Sequence, residues 1–154
     1  MSSANLENLA KVGQLKKEPP DEAELEGLLR AGRNKLKDAR NASNSFESRF
    51  DLAYNAAHAL SLAALRRHGY RSENRYLVFQ VLPHTLGIED SEWRVLATCH
   101  ERRNRAEYQG ILEADERLLA ALVEIAARLL AAVEALGAVK KEEPDGPGGA
   151  EPKC

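Results

Sequence analysis

The chain has 154 residues, 44% of them hydrophobic but only 5% aromatic, and a formal net charge of −2. That length fits one domain around a single core, and a charge so near zero gives no global electrostatic case for nucleic acid. No apolar run reaches the length that crosses a bilayer, since Leu118 to Val139 is interrupted by Glu124, Arg128 and Glu134.

Residues 1–19 read as a short amphipathic helix and a break. Leu6, Leu9, Val12 and Leu15 recur at roughly helical spacing, and Pro19-Pro20 ends the segment. It is expected to pack on the domain or on a partner. The first long helix is expected near Asp21, where Asp21, Glu22 and Glu24 complement the helix dipole. Leu25, Leu28, Leu29 and Leu36 give its apolar stripe, which fades at Asn41-Ala42-Ser43. Ser43 or Ser45 can cap the second helix. Phe46, Phe50, Ala53, Tyr54, Ala57, Leu60, Ala64 and Leu65 then run along one face, and Gly69 stops it. A third helix is expected from Ser72 to Leu86, kinked or ended by Pro83. Asp90 or Ser91 opens the fourth, whose inward stripe reads Trp93, Leu96, Ala97, His100, Asn104 and then Tyr108 or Ile111, with a break at Gly110. The fifth is expected from about Glu113 to Leu136, with Leu118, Leu119, Leu122, Ile125, Ala126, Leu129, Leu130 and Val133 inward. The tail 138–154 is Gly, Pro, Glu and Lys and is expected to be disordered. No convincing strand and no internal repeat is present. The expectation is an all-α bundle of four or five antiparallel helices over residues 20–137. The N-terminus lacks the pattern of a signal peptide. Cys99 and Cys154 do not suggest a disulfide, so a cytoplasmic location is expected.

The chemistry concentrates in His100-Glu101-Arg102-Arg103-Asn104-Arg105-Ala106-Glu107-Tyr108. Asn104 and Tyr108 share a helix face, and Arg103 lies one step around it. Arg holds phosphate in a bidentate way, Asn orients a ligand or water, and a Tyr hydroxyl donates or accepts. The competing reading is a buried polar network that fixes helix packing. His100, one turn before Asn104, is either a general base near neutral pH or a hydrogen-bonded core residue. A second group, Arg66, Arg67, His68, Arg71 and Arg75, spans the turn after the second helix, while Arg94, Arg102, Arg103 and Arg105 lie on the fourth. If they meet they form a positive groove for RNA. Otherwise they are solvated helix ends. His58 and His84 are isolated, no His, Cys, Asp and Glu cluster has metal-ligand spacing, and no cofactor is expected.

Two segments resemble the HEPN superfamily of small prokaryotic helical bundles. One is Phe50-Asp51-Leu52-Ala53-Tyr54-Asn55-Ala56-Ala57-His58-Ala59-Leu60 with Gly69-Tyr70-Arg71; the other is Arg103-Asn104 to Tyr108. The start, Val12-Gly13-Gln14-Leu15-Lys16 followed by Pro19-Pro20-Asp21, resembles one branch of that superfamily. The resemblance spans about residues 20 to 136. It implies a homodimer in a toxin–antitoxin or defence module, engaging RNA or nucleotides and pairing in some cases with a nucleotidyltransferase. In active members an Arg and, four to six positions on, a His cut RNA without a metal. Arg103 and Asn104 match the first half of that pattern, and Tyr108 stands where the His belongs. A neutral Tyr, with an ordinary pKa of about 10, is a poor base at pH 7. The resemblance thus implies a site at Arg103, Asn104 and Tyr108, joined by His100. Three outcomes stay open: a metal-independent endoribonuclease, a catalytically silent binding module and, unrelated to either, a purely structural dimer with no ligand. Some families modify a tyrosine near this motif by nucleotide transfer, and Tyr108 is a target by analogy alone.

Overall fold

The structure is a computed structural model that describes residues 2–145, with side-chain surroundings over 4–137. Among the described residues it is mostly helical, compatible with an all-α bundle: α1 (Ser2–Lys11), β1 (Lys16–Lys17), α2 (Glu22–Ala39), α3 (Phe46–Arg67), β2 (Tyr70–Arg71), α4 (Arg75–Gln80), α5 (Leu82–Thr85), α6 (Asp90–Gln109) and α7 (Glu116–Asp145). Local chemistry sets most boundaries. Asp21 accepts from the Ala23 N–H and opens α2, and Ser45 accepts from the Ser48 N–H and opens α3. Each side-chain oxygen satisfies one of the donors that a helix start leaves without a partner. Asn74 opens α4 in the same way through the Leu77 N–H. Gly110, at φ +76°, closes α6 in the left-handed region that a side chain resists.

Helix α3 is the centre, touching α2, α4, α5, α6, α7 and β2. It is buried on more than the one face expected from its sequence. Beside Phe50, Ala53, Tyr54, Ala57 and Leu60, a second stripe of Ala56, Ala59, Ala63 and Arg66 is covered. Small residues let α2 come close: a Cβ added at Gly32 would lie 2.5 Å from Leu60 Cγ. The main core joins α2, α3, α6 and α7 through Leu36, Phe50, Leu60, Leu96, Leu122 and Leu129.

Three expectations are corrected. The region expected to hold no strand contains a short antiparallel pair, Lys16 with Arg71 and Lys17 with Tyr70. Two residues per strand are too few to give an alternating signal. The single third helix is split into α4 and α5 at Val81, two residues before Pro83. The backbone of α7 runs on to Asp145, so helix occupies the start of the tail expected to be disordered, and residues 146–154 lie outside the described ones. The N-terminal segment packs on the domain. Leu6 and Leu15 are buried with Leu65, Tyr70, Leu77, Val78 and Val81 in a second core, and Tyr70 Oη donates to Glu7 at 2.7 Å.

Candidate functional site

Two helices present polar quartets at the same spacing. On α3 they are Asp51, Tyr54, Asn55 and His58, and on α6 they are His100, Arg103, Asn104 and Glu107. Residues at i, i+3, i+4 and i+7 share one helix face, and here the two faces meet. Helix α4 adds Arg75, Tyr76 and Phe79 at the edge.

The Tyr54 ring, fully buried, is the wall of this cluster. The Arg103 guanidinium carbon lies 5.0 Å from its centroid and that of Arg75 5.6 Å, both within reach of a cation–π attraction. His100 stacks on the same ring at 6.1 Å. Its Nδ1 is 2.8 Å from Tyr54 Oη, and its Nε2 is 3.2 Å from Asn104 Nδ2. With the Asn104 amide in this orientation, Nε2 accepts, so Nδ1 carries the proton and donates to Tyr54. Arg103 Nε donates to Asp51 Oδ1 at 3.1 Å, and its Nη2 lies 3.2 Å from Glu107 Oε2. Arg75 Nη1 donates to Asn55 Oδ1 at 3.1 Å, and Asn55 in turn donates to the Asp51 carbonyl at 2.9 Å. His58 packs edge-on to Phe79 at 6.0 Å, and among the described residues its ring makes no hydrogen bond.

Both imidazoles are held neutral at pH 7. Burial lowers the His100 pKa below its ordinary 6.5, and Arg75 and Arg103 add to the effect. His58 is pushed further, to about 4, first by burial and then by Arg75, His100 and Arg103. A neutral imidazole accepts a proton, which a base requires.

The His58 shift has a consequence for stability. Its folded-state pKa lies below the 6.5 of an unfolded histidine. Above pH 6.5 neither state binds the proton, and the difference contributes nothing. As the pH falls from 6.5 toward 4 the unfolded chain takes up a proton that the folded chain resists, so stability is lost across that window, by up to about 3 kcal/mol. Urea melts through that window should show a steeper loss for the wild type than for His58→Gln. Glu18 and Glu24 also titrate in acid, each held low by Arg71, and the comparison with the variant removes their contribution.

The structure assigns the expected site residues very different places. Arg103 and His100 come together as expected, and Asn104 bonds to His100 while itself exposed. Tyr108 departs from the expected inward stripe: it is 89% exposed and takes no part in the cluster. The buried positions of α6 end at Cys99, and Trp93, Leu96 and Cys99 set the inward face toward Arg103 rather than toward Tyr108.

The expected basic groove is also corrected. Arg66 is 1% exposed and bonds to Glu24 at 2.8 Å and to the carbonyls of Glu18 and Pro19 at 2.8 Å each. It is an internal tie with no surface for RNA. Arg67 pairs with Glu22, and Arg71 with Glu18 and Glu24. Arg105 pairs with Glu101 and Glu113, and Arg102 donates to the Glu113 carbonyl. Of the arginines assigned to RNA, Arg75 alone joins the cluster, and among the described residues it has no carboxylate partner. Sequence reasoning missed Asp51, Tyr54, Asn55 and His58 as one set. The signal was their common face on α3, hidden because Tyr54 was counted as core and His58 as isolated.

An open groove of about 560 Å³ flanks Arg103, lined by Phe50, Ile111 and Leu112 on its apolar side and by Glu47, Asp51 and Glu107 at its acidic rim. Among the described residues no group of His, Cys, Asp and Glu is arranged to hold a metal ion, and no helix is long and apolar enough to cross a membrane. Cys99 is buried, and burial raises its thiol pKa to about 12, so it is no nucleophile at neutral pH.

Comparison with known proteins finds no matching family model, no matching curated protein and no matching solved structure.

Proposed function

We propose that this chain is a HEPN-like component of a toxin–antitoxin or defence module that binds RNA or nucleotides by a phosphate held at Arg75 and Arg103, beside His100. The observation that supports this most is Arg75. It is a guanidinium with no carboxylate partner among the described residues, beside two imidazoles and a second arginine. A phosphate would accept from Arg75 and displace Asp51 or Glu107 from Arg103, exchanging one charge-assisted pair for another. Under this reading two protomers pair in the cytoplasm, and a nucleotidyltransferase is a candidate partner.

Metal-independent cleavage is a second reading, favoured by the neutral His100. Once Asn104 swings aside, His100 Nε2 would take the 2′-hydroxyl proton. The 2′-oxygen would then attack phosphorus, the bond to the 5′-oxygen would break, and water would protonate the leaving oxygen. Tyr108 has no role in that scheme. The silent binding module keeps the same contacts without the proton transfer.

The test is incubation of purified protein with a mixed RNA pool and a metal chelator, with binding measured on the same material. Salt-sensitive binding that Arg75→Ala weakens supports the phosphate site. Cleavage abolished by His100→Ala adds the enzymatic reading, and binding without cleavage leaves the silent module. Folded protein that neither binds nor cuts would refute both.

A further inference from the structure

Tyr76 is 42% exposed, one of few large aromatic rings left in water. Tyr108, the other such ring, stands away from the cluster, but Tyr76 is fixed beside it. Its ring meets Trp93 edge-on at 6.0 Å and lies 6.4 Å from His100 at a tilt of 52°. Among the described residues its hydroxyl makes no hydrogen bond. Here close to half of the residue stays open.

Two cations in its neighbourhood have no carboxylate partner among the described residues. Arg75, the residue before it in α4, is held by the neutral amide of Asn55. Arg94 is exposed, lies 5.6 Å over the ring of Trp93, which Tyr76 meets edge-on, and has no ion pair among the described residues. Most other arginines of α6 are tied to carboxylates. An aromatic side chain with unpaired cations near it is suited to a single strand, with phosphates on the cations and a base on the ring.

We propose that Tyr76 is a base-stacking platform for single-stranded nucleic acid, with one backbone phosphate at Arg75, beside His100, and a neighbouring phosphate at Arg94. This rests on the phosphate reading given above and adds to it the requirement for a base. Stacking needs the ring alone, so the platform tolerates any base and does not need the tyrosine hydroxyl.

The experiment compares a short oligouridylate with an abasic strand of the same length and charge, by fluorescence anisotropy, using the full chain. The wild type should favour the base-bearing strand by roughly tenfold. Tyr76→Phe should keep that preference. Tyr76→Ala should lose it, binding both strands as the wild type binds the abasic one. Arg75→Ala should weaken both strands alike. A Tyr76→Ala protein that keeps the preference overturns the platform while leaving the phosphate site standing. A Tyr76→Ala protein whose assembly state changes with the preference intact assigns the ring to a contact between copies, and also overturns it. A wild type that binds neither strand removes the phosphate reading and this one with it.

Discussion

Arg66→Ala should cost about 3 kcal/mol of stability and lower the melting temperature by roughly 10 °C. The guanidinium is almost wholly inside and ties α3 to Glu24 on α2 and to the backbone of Glu18 and Pro19, which lead from β1 into α2. Truncation leaves the Glu18 and Pro19 carbonyls without this donor and takes from Glu24 one of its two arginines, Arg71 remaining, and an unpaired group kept from water costs more than the bond was worth. The value belongs near the lower end of the range for broken buried pairs, because Glu24 is 26% exposed and can turn to water. Arg67→Ala is the control. Its partner Glu22 is 74% exposed, so the loss should stay below about 1 kcal/mol. Chemical denaturation of the two variants beside the wild type decides the point. Equal, small losses would mean that Arg66 is not the tie described.

Those two neighbours show where the sequence was legible and where it was not. The helix starts at Asp21 and Ser45 and the stops at Gly69 and Gly110 were readable because each cap is a local hydrogen bond or a local backbone angle. The burial of Arg66 is not local. It depends on α2 and the segment around Pro19 arriving at the same point, 47 residues away in the chain. A second stripe of Ala56, Ala59 and Ala63 did point to position 66, but alanine carries a weak signal. The site was half legible. Arg103 and His100 stood out as polar residues in a helix with an inward face, whereas Tyr108 was placed by extending that face through mostly polar turns in which Ala106 alone is too small to fix the phase. His58 stood in one segment of the resemblance and Arg75 in the basic run, but nothing in the sequence joined them, since their common site is made by packing.

The second large effect is on ligand binding. Arg75→Ala should weaken an RNA strand by roughly 10- to 100-fold, the loss of one charge-assisted contact, and reduce the slope of log affinity against log salt by about one. It should barely change the fold, since Arg75 gives up one bond to a neutral amide and one ring contact. Arg105→Ala removes a cation that Glu101 and Glu113 already neutralise and should change affinity by less than about twofold. Titrations at several salt concentrations separate the two. Equal losses for both variants would mean that binding follows general charge rather than this cluster.

The central claim is that Arg75 and Arg103 form a phosphate site beside His100, and histidine NMR reads it most directly. In the free protein the His100 imidazole should titrate below 6.5, because burial, Arg75 and Arg103 disfavour its charged form. A bound phosphate reverses the sign of the local field, so a saturating short oligouridylate should move the His100 midpoint upward and shift the His58 resonances with it. Arg75→Ala should raise the midpoint in the free protein and abolish most of the response to the strand. A His100 midpoint that stays put when the strand is bound, or a response unchanged in Arg75→Ala, would contradict the account.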